Sequence, residues 1–120
     1  FLQAQVVDVL QPDLINSGGI TGTRRIAELA ALYRVPVCLH NVSGLVLNIA
    51  SQQFSAAHFN CPMMECSVRA DQYQWANPNP LEIRDGVMQV SQRPGLGLEL
   101  DQDFLRENRL ESEPWWGDES

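Results

Sequence analysis

An aspartate and a histidine stand at equivalent points of two consecutive strand–turn–helix patterns. Asp13 ends an apolar run and precedes the pair Gly18-Gly19, while His40 ends the run VPVCLH and precedes another helical pattern. Residues just beyond the carboxyl ends of parallel strands meet at one mouth of a β/α fold, so these two side chains are expected to lie close together. A carboxylate beside an imidazole makes a general-base pair.

A third residue that can exchange a proton, Glu65, follows the next apolar run, PMMECS. Taken alone, an aspartate before a helix is usually a cap, and a histidine after an apolar strand is usually structural. Equivalent positions on three successive units favour a joint role instead. The sequence therefore predicts that Asp13, His40 and Glu65 are catalytic.

The elements that would position these residues show two hydrophobic periods in turn, that of a strand and that of a helix. Alternation predicts strands over 6–12, 36–40 and 62–67, and helical spacing predicts helices over 22–34 and 45–58. Thr21 or Thr23 is expected to cap the first helix. Crossovers between neighbouring parallel strands are right-handed, so the order strand, helix, strand, helix, strand indicates an α/β fold with a parallel sheet or barrel.

The composition changes after Arg69 to a stretch rich in Pro, Gly and Asn. Short alternating runs flank Asp85-Gly86, a good turn pair, and predict a small hairpin. Asp101 is expected to cap a short final helix. The acidic end of the chain carries Trp115 and Trp116, which with Trp75 are expected to pack against another domain or subunit.

Size and charge narrow the classes of function. A complete (β/α)₈ barrel needs roughly 250 residues, whereas this chain has 120 and opens at Phe1, so we expect a piece of a longer protein. Eight arginines and no lysine face 15 acidic residues, for a net charge of −7. This balance argues against nucleic acid as a partner, and the absence of lysine excludes a lysine base from this segment.

Other residues invite simpler interpretations. No apolar run is long enough for a transmembrane helix, so no membrane partner is expected. Three cysteines without a CxxC pair fit a reducing cytoplasm and do not make a zinc site. His58, near the end of the second helix, is expected to be a surface residue or a partner of the helix dipole.

Four segments of the chain resemble the enolase superfamily, in its mandelate racemase-like branch. They are QPDLINSGGITG, VPVCLH, MMEC and RPGLGLELDQDFL, and the resemblance covers about residues 6–108. It implies the C-terminal part of a (β/α)₈ barrel, with strands six to eight in residues 1–69. Residues 70–108 would then be a C-terminal extension that packs on a capping domain absent from this chain, followed by an acidic tail over 109–120.

The resemblance also implies a mechanism. In that family Mg²⁺ binds the substrate carboxylate, a base removes the proton α to it, and the metal stabilises the enediolate. His40 would be the general acid/base, Asp13 would orient it, and Glu65 would hydrogen-bond the developing enediolate, which requires a protonated or strongly hydrogen-bonded glutamate. The Mg²⁺ ligands would come from earlier strands, with none in this segment.

Within the branch, the residue at Asp13 separates subclasses. The muconate-cycloisomerase and dipeptide-epimerase members carry a lysine there, so Asp13 with His40 favours acid-sugar dehydratases, and racemases as the alternative. The expected whole protein is a cytoplasmic homo-oligomer that acts on a small carboxylate, while the isolated chain would be inactive. Two other interpretations stay open: a non-catalytic interaction module, and a flavodoxin-like domain, which would need a phosphate loop that the sequence lacks.

Overall fold

A computed structural model of the chain describes residues 1–66, 76–78 and 81–115. Their regular elements, in chain order, are α1 (Gly19–Leu32), β1 (Cys38–Leu39), α2 (Leu45–Ala57), β2 (Met63–Met64), β3 (Ile83–Arg84), β4 (Val87–Met88) and α3 (Gln102–Glu107). The first four elements form a β/α layer that confirms the predicted α/β class. The last three lie within residues 81–115.

The parallel pairing of the layer is short. β1 pairs with β2 in parallel, with Cys38 opposite Met63, and an isolated parallel bridge joins Leu10 to Val37. The predicted strand over 6–12 is therefore wrong as a regular strand: only its end runs beside the chain before β1. Pro12 explains part of this because it has no N–H to donate, although its carbonyl still accepts from His40 N at 3.0 Å.

Helix α1 begins earlier than predicted and without a threonine cap. Its N-cap is Gly18, whose φ of 81° lies in the left-handed region open to glycine. The Thr23 hydroxyl instead donates to Gly19 O at 2.9 Å, one turn back inside the helix. Gly18-Gly19 therefore makes the strand–helix turn, and α1 starts at the second glycine.

One apolar cluster fills the space between the helices and the strands. Its fully or nearly buried members are Leu14, Ala27, Ala30, Val37, Leu39, Leu47, Phe54 and Cys61. Helix α2 occupies the predicted place, ending at Ala57 rather than 58, and it buries Leu47 and Phe54 against this cluster. The core thereby fixes both helices against the strands whose carboxyl ends carry the candidate residues.

The segment that carries β3 and β4 contacts α2. β3 and β4 form the predicted antiparallel hairpin around Asp85-Gly86, and Gln52 Nε2 on α2 donates to Gln89 O at 2.8 Å. The Asp101 carboxylate caps α3 by accepting from Phe104 N at 2.9 Å, as predicted.

The tryptophans expected at a domain or subunit contact are only partly described. Trp115 is buried within this chain, and the Arg106 guanidinium lies 5.2 Å from its ring centroid. Its surface is therefore already used inside the chain. Trp75 and Trp116 lie outside the described residues. No helix in the described part of the chain is long and apolar enough to cross a membrane.

Candidate active site

Asp13, His40 and Glu65 lie side by side at the carboxyl ends of the three parallel segments. The registers of the bridge at Leu10 and of the β1–β2 pair bring them to the same level. His40 Nδ1 is 3.1 Å from Asp13 Oδ2, and His40 Nε2 is 3.8 Å from Glu65 Oε2. The structure thus brings all three predicted site residues into one row, with the imidazole between the two carboxylates.

Asp13 is the buried member of this row, with 8% of its surface exposed. Its Oδ1 accepts from Ile15 N at 2.7 Å and from Asn16 N at 3.2 Å, which leaves Oδ2 for His40. Burial by itself raises the pKa of Asp13, but the hydrogen bonds from His40 and from the two backbone N–H groups outweigh it and hold the pKa below its usual value. Asp13 is therefore a fixed negative charge that is both a turn cap and a partner of the histidine.

His40 is the accessible member, with 42% of its side chain exposed. A carboxylate can only accept, so the Asp13 contact places the neutral ring's proton on Nδ1. Nε2 then carries the free lone pair. An imidazole in this tautomer can take a proton at Nε2, and the resulting positive charge lies beside the Asp13 carboxylate.

Glu65 is held by two residues that the sequence analysis did not assign to the site. Its Oε2 accepts from Asn41 N at 3.0 Å and from Gln11 Nε2 at 3.4 Å. Strand alternation was the available signal for Gln11, which lies two residues before Asp13 and so on the same side. The hydrogen bond from Asn41 to the Glu65 carboxylate comes from the backbone N–H, which every residue except proline has, so the residue type gives no signal for it.

The donor set of the row does not fit a metal ion. Both Asp13 oxygens and Glu65 Oε2 already accept hydrogen bonds, and the imidazole stands between the two carboxylates. Among residues 1–66, 76–78 and 81–115, no group of three or more His, Cys, Asp or Glu side chains is arranged to hold a metal. The groups of the row are ones that can exchange protons and form hydrogen bonds.

The second histidine has a structural environment. His58 stacks on Phe54, with ring centroids 3.9 Å apart and an interplanar angle of 15°. Its Nδ1 lies 2.8 Å from Phe54 O, so the ring donates to a carbonyl at the end of α2. This contact agrees with the expectation of a partner for the helix dipole.

Comparison with known proteins supplies a family. The family described as enolase C-terminal domain-like matches residues 1–104, nearly the whole chain. A solved mandelate racemase/muconate lactonizing enzyme from Sulfitobacter superposes with a TM-score of 0.81 and is 28% identical, over 88% of this chain and 26% of that one. The fold and the sequence therefore lead to the same family.

Curated relatives add enzymes of known name. The chain is 38% identical to a D-xylonate dehydratase of Haloferax volcanii, over 98% of this chain and 29% of the relative. It is 36% identical to a D-galactarolactone cycloisomerase of Agrobacterium fabrum, over 91% of this chain and 31% of the relative. The chain thus spans about three tenths of the length of these relatives.

Proposed function

The chain belongs to the enolase C-terminal domain-like family, and on that premise we propose that it supplies the acid–base row of a sugar-acid dehydratase. In this proposal residues 1–69 hold strands six to eight of a (β/α)₈ barrel. The observation that carries it is the row itself, in which His40 lies 3.1 Å from Asp13 and 3.8 Å from Glu65. The D-xylonate dehydratase relative supports the choice of substrate class.

The row has the parts that proton abstraction α to a carboxylate requires. His40 Nε2 takes the α-proton, and the electron pair of the broken C–H bond passes into an enediolate. The Asp13 carboxylate stabilises the imidazolium that forms, as the buried aspartate does in a serine-protease triad. Glu65, beside His40 Nε2, would donate a hydrogen bond to the oxygen on which negative charge develops, a role that requires its carboxyl group to carry a proton.

Dehydration then follows by loss of the hydroxyl group on the neighbouring carbon. The C–O bond breaks as the enediolate electrons form the new double bond, and the departing hydroxide takes a proton from an acid of the site and leaves as water. His40, once protonated, is one group that can return that proton. The chain's own contribution is therefore to hold and move a proton at Nε2.

The proposed Mg²⁺ would be bound outside this segment, because the row's own oxygens do not fit it. When bound, the metal neutralises the substrate carboxylate and its enediolate. In the proposed whole protein the earlier barrel strands and a capping domain complete the pocket, and the protein is a cytoplasmic homo-oligomer. The isolated 120-residue chain is then expected to show no turnover.

A second candidate is isomerisation or racemisation by the same row. The cycloisomerase relative favours it, since that protein is 36% identical to this chain. Abstraction of the α-proton is common to both candidates. They differ in whether water leaves, so the products distinguish them.

The test is an assay of the intact parent protein with a panel of sugar acids in deuterated solvent, with Mg²⁺ and then with EDTA. We expect Mg²⁺-dependent exchange of the α-proton and release of a 2-keto-3-deoxy acid from at least one substrate. Exchange without loss of water would replace the dehydratase by the isomerase. No exchange with any acid, in a parent shown by titration to bind Mg²⁺, would contradict the proposed function.

A further inference from the structure

The residue after His40 contacts Glu65 twice, at its carboxylate and at its backbone. Asn41 N donates to Glu65 Oε2 at 3.0 Å, and Asn41 Nδ2 donates to Glu65 O at 3.1 Å. A single residue thus fixes both ends of the glutamate. Because Asn41 directly follows His40, it also ties the glutamate to the imidazole.

Asn41 is itself anchored in the first turn of α2. Its Nδ2 also donates to Asn48 Oδ1 at 2.5 Å, and Asn48 Nδ2 donates to Gly44 O at 3.2 Å. Both side chains are fully buried, with 0% of their surface exposed. The chain of amides therefore runs from the start of a helix, through the end of β1, to the glutamate after β2.

Burying these amides is costly for the fold. Within the described residues, Asn41 Oδ1 is buried and has no hydrogen-bond partner. A buried acceptor left without a donor disfavours the folded state, and an apolar side chain would avoid that penalty. The Asn41 side chain donates to Glu65 and to Asn48, while its oxygen has no partner. The residues that these two hydrogen bonds hold in place explain why an asparagine occupies this buried position.

We propose that Asn41 is a positioning residue for Glu65, an inference that rests on the proposed function. Its side-chain amide, supported by Asn48, holds the Glu65 backbone, and its backbone N–H binds the Glu65 carboxylate, which lies 3.8 Å from His40 Nε2. From that place the carboxyl group reaches the same substrate atoms as the imidazole. Loosening the anchor leaves substrate binding largely intact and weakens stabilisation of the transition state.

The kinetic test compares Asn41→Ala, Glu65→Gln and the double variant in the intact parent protein. Asn41→Ala should lower kcat about 10²-fold, as expected for a misplaced catalytic group, with a much smaller change in KM. If Asn41 acts through Glu65, the double variant should be no slower than Glu65→Gln alone. Losses that multiply would overturn the proposal.

Asn60→Ala is the matched control for a lost amide bond. Asn60 Nδ2 donates to Ala27 O at 2.8 Å, at the opposite ends of the strands. This variant should keep the wild-type kcat. An equal loss in Asn60→Ala would mean that any weakened amide contact slows the enzyme, and would overturn the specific role of Asn41.

A crystal structure of the Asn41→Ala parent tests the placement without any assay. The Glu65 carboxylate should move away from His40 Nε2, and an unmoved carboxylate would overturn the proposal. If the wild-type parent proves inactive on every sugar acid, the proposed function fails while this structural result still decides the positioning. Should Asn41→Ala not fold, Asn48→Ala removes the anchor one step away and is expected to displace the same carboxylate.

Discussion

The two ends of the parallel strands carry the same residue types in different surroundings. At the carboxyl ends, His40 lies between two carboxylates, and the Asn41 side chain donates to the Glu65 backbone carbonyl. At the amino ends, His58 stacks on Phe54 and donates to its backbone carbonyl, and the Asn60 side chain donates to Ala27 O. Histidine thus lies between two carboxylates at one end and donates to a backbone carbonyl at the other. Both asparagines donate to a backbone carbonyl, but Asn41 donates to that of the candidate residue Glu65.

This difference teaches that the partner of a side chain decides its role. A ring nitrogen bonded to a carbonyl has its donor committed to holding a helix end. A ring bonded at Nδ1 to a buried carboxylate keeps a lone pair at Nε2 and can store a positive charge. If the proposed function holds, substitutions at the carboxyl ends of the strands should change the rate, and substitutions at the amino ends should change the stability.

The largest expected effect separates two aspartates that both cap backbone N–H groups. Asp13→Asn in the parent protein should lower kcat by about 10³–10⁴-fold, because the amide no longer holds the imidazole tautomer or its charge. Asp101→Asn, at the α3 cap, should leave kcat unchanged. A mild effect of Asp13→Asn in steady-state assays would reduce that residue to a cap.

The next effect is on stability and compares two phenylalanines. Phe54 is 4% exposed in the core and Phe59 is 92% exposed. Phe54→Ala should destabilise the parent by about 3–5 kcal/mol, whereas Phe59→Ala should change stability by no more than about 0.5 kcal/mol. Denaturation midpoints measure both, and equal shifts would show that the α2 packing described above is wrong.

A smaller loss of stability is expected at Asn60. Removing its bond to Ala27 O should cost about 1 kcal/mol while kcat stays at the wild-type value. Urea denaturation and a turnover assay on the same preparation check the two halves of this expectation. Loss of rate without loss of stability would contradict the assignment of the amino ends to a structural role.

The smallest expected effect is a pH dependence. Because the folded-state pKa of Asp13 is lowered, its carboxylate contributes stability above the usual aspartate pKa of about 3.9. That contribution is lost as the pH falls through the lowered value. In denaturation midpoints measured from pH 5 down to pH 2, Asp13→Asn should therefore decline less steeply than wild type. Parallel declines would show that Asp13 is not held as a charge.

Much of the layer could be predicted from the sequence because its signals are local. Helix α2, the hairpin at Asp85-Gly86 and the Asp101 cap follow from spacing and turn chemistry. The prediction of a strand over 6–12 was wrong because an alternating run does not show how many of its residues pair with a neighbouring strand. The predicted start of α1 was wrong because the sequence offered two threonines as caps, whereas Gly18 is the N-cap in the structure.

The site divides in the same way. Asp13, His40 and Glu65 could be grouped because equivalent positions on successive units imply one edge of the sheet. Their order in space, with the imidazole in the middle, depends on side-chain geometry that spacing does not contain. The contacts of Gln11 and Asn41 with Glu65 could not be predicted. An amide side chain or a backbone N–H has the same appearance in a sequence whether or not it binds a carboxylate.

The most direct measurement compares the two histidines in the parent protein. α-Proton exchange in deuterated solvent would be followed for wild type, His40→Asn and His58→Asn with the best sugar-acid substrate. We predict that His40→Asn loses exchange by about 10⁴-fold, near the upper range for a general acid/base, while His58→Asn exchanges at the wild-type rate. Near-normal exchange in a folded His40→Asn protein would contradict the assignment of proton transfer to the Asp13–His40–Glu65 row.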